Sequence, residues 1–297
     1  MSFQHDFKIY RAQIPSILID ELLVAHERFK HGMFSIFRAQ GTTQFEYPKL
    51  DKFGNQINSI QNPHLLGYQP KFRKAVERII YSHNVSECLS DFTGSDSHVN
   101  YQSMFFDKST GTKLHQDTWY LDTEPAGQLV GVWFALEAIT KESGPFCLYS
   151  KAANKRVGID DFDFENLEKD PSFVKRFPNF ERFDFLPQRG DILIWKSFTI
   201  HGAHKPSDQS KTRKSLTAHF YPSACKVQDP PAERILSIYD HKRPKPTNNP
   251  KIAKAAVVNP MLYSSMCLAL NKLGGLSNVL SRDNKMDGKT SQIRRIG

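Results

Sequence analysis

Residues 99–106 read Val99-Asn100-Tyr101-Gln102-Ser103-Met104-Phe105-Phe106, and here the hydrophobic pattern of the chain changes to a period of two. A period of two places successive side chains on opposite faces, as a strand does. Working outward, four more short apolar segments follow. Residues 129–136 are Leu-Val-Gly-Val-Trp-Phe-Ala-Leu, and residues 146–149 follow a Ser-Gly-Pro turn. Residues 191–195 follow Arg189-Gly190, and residues 215–221 complete the set. Short strands separated by turns predict a mainly β fold with flanking helices, a sandwich or barrel rather than alternating βαβ units. Residues 160–179 are charged, carry Pro171 and Pro178, and read as a helical excursion between strands.

Upstream the period is helical. Residues 15–30 carry Ile17, Leu18, Leu22, Leu23 and His26 near helical spacing, with Ser16 placed to cap them. Residues 70–82 repeat the pattern with Phe72, Val76, Ile79 and Ile80, while residues 41–62 are rich in Gln, Asn, Lys and Gly and read as loop. The organisation expected is therefore a β domain with N-terminal helices over residues 1–225 and a basic extension over residues 226–297. The extension contains Arg243-Pro244-Lys245-Pro246, then Asn259-Pro260 as the start of an amphipathic helix through Leu262, Met266, Leu270 and Leu273. That helix is expected to pack back on the core, since only Lys272 marks its polar face as membrane-seeking.

At 297 residues the chain can bury a core without staples. Its net charge of +9 is uneven: from Lys226 onward there are 13 basic against 5 acidic residues, and before it 27 against 26. Such asymmetry suits an anionic partner or a solvated tail. No aromatic-plus-basic platform accompanies it, which argues against nucleic acid. Cys88, Cys147, Cys225 and Cys267 are scattered, with no CxxC pair, so neither a zinc motif nor a disulfide framework is expected, and a reducing, cytoplasmic setting is. No apolar leader and no 18-residue apolar run appear, so neither a signal peptide nor a membrane span is expected. No segment specifies an oligomeric state.

The chemistry sits in His115-Gln116-Asp117, with His201 lying 84 positions after Asp117. Residues two apart on a strand share a face, so His115 and Asp117 can reach one point, and His201 in Ile200-His201-Gly202 can join them from a neighbouring strand. Two imidazoles and one carboxylate on one side of an octahedral metal leave open positions, the arrangement of non-haem Fe(II) oxygenases. His-x-Asp by itself is a weak pattern among eleven histidines. His204 and His219 are competing candidates, read here as supporting, surface or core residues. Arg213, twelve residues after His201, is placed to meet a carboxylate bidentately. A cosubstrate with a chelating keto acid at one end and a carboxylate at the other, which describes 2-oxoglutarate, would span metal and Arg213. Lys211 and Lys214 are nearby alternatives, and a solvated loop charge is the plainer one.

Together these motifs resemble the phytanoyl-CoA dioxygenase family of Fe(II)/2-oxoglutarate oxygenases. The similar stretches are His115 to Tyr120, Pro125, Val132 to Glu137, Gly144-Pro145-Phe146, Arg189 to Trp195, His201-Gly202 and the run from Arg213 to Pro222. The resemblance covers about residues 98–222. It implies a double-stranded β-helix, a jelly-roll or cupin-like core, with His115, Asp117 and His201 as iron ligands and Arg213 as the 2-oxoglutarate anchor. It places Trp133 in the cosubstrate pocket and Tyr101, Gln102 and Thr118 among the cosubstrate contacts. Gln116, Tyr120, Asp122 and Phe134 are the substrate-side candidates near the pocket mouth. The sequence departs from the family at Ala203, where a small polar residue is usual, in a His201–Arg213 spacing one residue longer, and at Tyr149-Ser150-Lys151-Ala152 after the Gly-Pro turn.

The implied reaction consumes O2 and 2-oxoglutarate, releases succinate and CO2, and hydroxylates an unactivated C–H of a small-molecule substrate. Asp117 sharpens this toward hydroxylation, with desaturation or ring closure as the alternatives, because related halogenases leave that position as Gly or Ala for a halide. An anionic, carrier-, CoA- or lipid-linked substrate would suit the basic C-terminal region. The rival readings are a Zn or Mn hydrolase or isomerase on the same barrel, and a catalytically silent binding module.

Overall fold

A computed structural model describes residues 6–40, 45–152 and 155–227, together with the backbone of residues 239–240. In chain order the elements are β1 (Phe7–Tyr10), α1 (Ser16–Lys30), β2 (Phe37–Ala39), β3 (Phe45–Glu46) and β4 (Ile60–Gln61). Then come α2 (Pro70–Ile80), α3 (His83–Thr93), β5 (His98–Phe106), β6 (Thr123–Glu124), β7 (Val130–Ala135) and β8 (Phe146–Ser150). The last are α4 (Pro171–Arg176), β9 (Glu181–Phe185), β10 (Ile192–Lys196), β11 (Ile200–Ala203), β12 (Ser215–Pro222), β13 (Lys226–Val227) and β14 (Tyr239–Asp240).

The major sheet is antiparallel, ordered β1-β10-β7-β12-β5-β4-β2-β3, with β14 pairing on β5. The minor sheet is β11-β8-β9, and β13 pairs with β6. Trp133, Leu193 and Trp195 from the major sheet meet Phe146, Leu148 and Phe185 from the minor one in a shared core. This is the double-stranded β-helix. The outer face of the major sheet presents Val132, Phe134, Ile192, Ile194, Leu216 and Phe220 to the three N-terminal helices. With both faces covered, β7 and β12 bury every residue, which is why residues 129–136 are apolar without alternation.

The helices refine the sequence reading. In α1 the buried residues are Ile19, Leu22, His26 and Phe29, at spacings of three and four, so the helix is rotated from the expected face and Ile17 is 62% exposed. Ser16 does not cap it; Pro15 holds that position without a side-chain bond. The second expected helix, residues 70–82, is α2, and a third helix that the sequence reading did not include, α3, follows it. α2 ends at Ile80, and α3 starts under a cap in which the Ser82 hydroxyl accepts from the Val85 N–H at 3.4 Å. Gly94, at φ 70°, closes α3 in the left-handed conformation. The excursion at 160–179 contains a 3-10 turn at Leu167–Lys169 and the short α4, capped by Asp170. The expected helix at residues 259–273 and most of the basic extension lie outside the described residues. Among those described, no helix is long and apolar enough to cross a membrane.

Candidate metal centre and its cavity

His115 and His201 face each other across an antiparallel bridge, each N–H donating to the other's carbonyl at 2.9 Å. Gly202 permits this approach: a Cβ there would stand 2.8 Å from the Thr112 carbonyl oxygen and 3.1 Å from the Leu114 side chain. Asp117 is not on the same strand as His115. It opens a single 3-10 turn, Asp117–Trp119, and this turn swings its carboxylate under the two imidazoles. The three ligand atoms lie within 4.8 Å of one another. Asp117 Oδ1 is 3.4 Å from His201 Nε2 and 3.9 Å from His115 Nε2.

The supporting bonds fix how each group is presented. His115 Nδ1 meets the Lys113 carbonyl and His201 Nδ1 the Thr199 carbonyl, both at 2.8 Å. A carbonyl only accepts, so the proton sits on Nδ1 and the Nε2 lone pair of each ring is left for a metal. Trp195 Nε1 donates to Asp117 Oδ2 at 2.9 Å. Its indole lies against Gly131, where a Cβ would be 2.1 Å from the ring. Burial, then the neighbouring His201, push the His115 imidazole down to about 4, which keeps it neutral. Burial alone would raise the Asp117 carboxyl, but His201 and His219 outweigh it and hold the group well below the usual carboxylate range. A neutral His115 imidazole and an ionised Asp117 carboxylate are protonation states a metal requires.

Arg213 completes the picture. It precedes β12 by two residues and shares the inner face with Thr217 and His219; in register, Thr217 lies opposite Trp133 and Met104. Its guanidinium is buried over the rings of Phe106 (5.4 Å) and Trp133 (5.9 Å). Nε has no hydrogen-bond partner, and no carboxylate pairs with the group among the described residues. Burial lowers it to about 10. A buried cation without a counter-charge is a costly feature, and an anionic ligand would relieve it. The triad, Arg213, Trp133, Gln102 and Tyr120 line one cavity of about 1160 Å³. The donor set thus fits a divalent metal with open positions, and the orphan guanidinium fits the far carboxylate of a dicarboxylic ligand.

The sequence model of phytanoyl-CoA dioxygenase matches residues 25–214. The chain belongs to the phytanoyl-CoA dioxygenase family. The peroxisomal phytanoyl-CoA dioxygenase of Mus musculus is 27% identical over 127 residues, covering 41% of this chain but only 37% of that enzyme. Phytanoyl-CoA dioxygenase domain-containing protein 1 of Bos taurus is 28% identical over 227 residues, covering 65% of this chain and 73% of that protein. Among solved structures, the non-heme alpha ketoglutarate dependent epimerase SnoN from nogalamycin biosynthesis superposes with a TM-score of 0.55 at 14% identity, over 77% of this chain and 80% of its own. EctD from S. alaskensis with 2-oxoglutarate and 5-hydroxyectoine gives 0.56 at 13%, over 76% of each chain. At these identities the likeness to SnoN and EctD is one of fold.

In this member of the phytanoyl-CoA dioxygenase family, seven of the twelve residues assigned a site role from sequence reach the cavity: His115, Asp117, His201, Arg213, Trp133, Gln102 and Tyr120, as do the competing candidates His204 and His219. Five do not. Tyr101 and Phe134 each adjoin a cavity residue, and strand alternation turns them away, Tyr101 against Leu121, Leu129 and Tyr221 and Phe134 toward the helices. Gln116 is fully buried and ties loops together: its amide donates to the Phe198 carbonyl at 2.6 Å and accepts from the Val157 N–H at 2.9 Å. Thr118 is buried beside Gln116. Asp122 accepts from the N–H groups of Thr123 and Gly127, both at 2.8 Å, and shapes a turn. Sequence reading missed Gln40, Gln61, Met104, Trp195 and Thr217, all of which line the cavity. A second cluster, Cys147, Asp184 and His204, also brings ligand atoms together. There Arg182 Nη2 lies 2.9 Å from His204 Nε2 and 3.1 Å from Asp184, so an internal cation already serves it.

Proposed function

We propose that the protein is an Fe(II)- and 2-oxoglutarate-dependent dioxygenase that hydroxylates an unactivated C–H of a small-molecule substrate. The observation that carries this reading is a metal-ready His-Asp-His triad and an uncompensated buried Arg213 opening on one cavity. His115, Asp117 and His201 would hold the iron, and Arg213 the distal carboxylate of 2-oxoglutarate. Iron(II) with bound 2-oxoglutarate and O2 supplies the oxidising power, with succinate and CO2 released. The chain's own part is to hold distances and exclude water. Phe106 and Trp133 sheath the guanidinium, so its bonds to a carboxylate form in a dry environment where they are strong. Trp195 holds Asp117, the ligand whose presence favours hydroxylation over halogenation.

The cavity exceeds the range of ordinary ligand pockets, roughly 300–1,000 Å³, and leaves room for a substrate beside the cosubstrate. Its rim carries both signs of charge, with Lys113, Lys169, Arg182 and Lys205 beside Asp163, Glu165 and Glu168. Lys113 pairs with Glu165 at 2.6 Å, and Arg182 with Glu168 and Asp184 at 3.1 Å, so these cations are already matched. The test is a metabolite screen read by succinate release from 2-oxoglutarate with Fe(II) and O2. Substrate-dependent succinate is the expected result. Zinc retained in place of iron with hydrolytic turnover would favour the hydrolase reading, and no turnover of any kind the silent module.

A further inference from the structure

We infer that Gln102, His219 and Asp117 form a directed hydrogen-bond relay from the cavity wall to the metal-binding carboxylate, with His219 as a positioning residue. The inference rests on the metal reading of the triad given above. His219 Nε2 lies 3.1 Å from Asp117 Oδ1, and Gln102 Nε2 lies 3.2 Å from His219 Nδ1. The chemistry of the three groups sets one direction. An ionised carboxylate only accepts, so His219 Nε2 carries the proton. In the ring's neutral form Nδ1 is an acceptor, and the Gln102 amide donates to it. The opposite orientation of that amide would set its oxygen against the Nδ1 lone pair. Gln102 therefore keeps its carbonyl oxygen and one N–H for the cavity it lines.

His219 is held for this task. It is buried, Asn100 Nδ2 donates to its carbonyl oxygen at 3.2 Å, and its ring stands edge-on to Trp195 at 6.1 Å. Opposite it in β7 is Gly131, which brings no side chain. His219 is not itself among the three converging ligands. It acts through Asp117, whose two oxygens are thereby assigned: Oδ2 to Trp195, and Oδ1 to His219 and the metal side. A ligand that bonds to Gln102 would be felt at the metal carboxylate.

The test is a Co(II) titration of the metal-free full-length protein, followed by its visible absorption and by competition with a chelator. Wild type binds one equivalent. His219→Phe keeps the fold by circular dichroism but weakens Co(II) binding about 10–100-fold, the usual cost of losing a bond that orients a ligand. It also alters the visible spectrum. His219→Gln can donate to Asp117 and accept from Gln102, and it restores most of the affinity. Gln102→Met weakens binding less than His219→Phe, and the double variant is no weaker than His219→Phe alone. Unchanged affinity in His219→Phe, no rescue by His219→Gln, or additive losses in the double variant would each overturn the relay and leave the metal site standing. No Co(II) binding by wild type would overturn the metal site, and the relay with it.

Discussion

Replacing Arg213 by Met should make the protein more stable and less able to bind 2-oxoglutarate, two effects of opposite sign. Burial lowers the guanidinium from its ordinary value to about 10, which sets the order of magnitude of the cost of holding the charge there. At 1.36 kcal/mol per pH unit this is about 3 kcal/mol, fully present at pH 7, below both values. Met retains an apolar stem over Phe106 and Trp133 but forfeits their attraction for the cation, roughly 0.5–2 kcal/mol. The net expectation is a gain of about 1–2 kcal/mol for the ligand-free protein, read by urea unfolding. Binding moves the other way. Two charge-assisted hydrogen bonds at about 1.5–3 kcal/mol each imply at least ~100-fold weaker 2-oxoglutarate binding, read by calorimetry on Mn(II)-loaded protein without O2. Wild type should also gain about 2.7 kcal/mol at 2-oxoglutarate concentrations 100 times its Kd, and the variant almost none at that concentration. A destabilised variant that binds 2-oxoglutarate like wild type would refute the reasoning, because Arg213 would then be a packed core residue.

Three further outcomes are expected. Asp117→Ala should abolish iron retention, measured by metal analysis after desalting, and with it succinate formation; wild-type iron content would remove Asp117 from the ligand set. Gly131→Ala drives a methyl to 2.1 Å from the Trp195 ring, so it should cost about 1–3 kcal/mol in denaturant unfolding and loosen the metal by displacing the indole from Asp117. A Gly131→Ala protein with wild-type stability and metal content would show that the indole has slack. Burial holds His26 near 4 and His64 near 3, both below the unfolded value of 6.5. The unfolded chain therefore binds more protons between pH 6.5 and those values, and the metal-free protein should lose stability as pH falls through that window. The slope should approach 1.4 kcal/mol per pH unit for each histidine. A flat profile from pH 7 to 5 would contradict the burial of these rings.

The sequence was most legible where one physical rule decides the outcome. The apolar runs at residues 129–136 and 191–195 became β7 and β10 because strands buried on both faces are apolar throughout. His115, Asp117 and His201 converge in space, though for a different geometric reason. A bridge to His201 and a 3-10 turn, rather than one strand, bring the carboxylate to the imidazoles. Tyr101 and Phe134 were misplaced because a motif marks a stretch of strand, whereas only every second residue faces the cavity. α3 carried its own signals in Ser82, in Val85, Cys88, Leu89 and Phe92, and in Gly94, but the break between α2 and α3 lacks a proline. Trp195 and His219 could not be assigned from sequence, since their roles depend on contacts with Asp117 across 78 and 102 residues.

The central claim is that the triad and Arg213 together hold iron and 2-oxoglutarate. Anaerobic titration of the Fe(II)-loaded protein with 2-oxoglutarate, followed by visible absorption, tests it most directly. We expect a weak charge-transfer band that saturates at one equivalent, is lost in Asp117→Ala and needs far more 2-oxoglutarate in Arg213→Met. A protein that holds zinc instead of iron and develops no band at any 2-oxoglutarate concentration would contradict it.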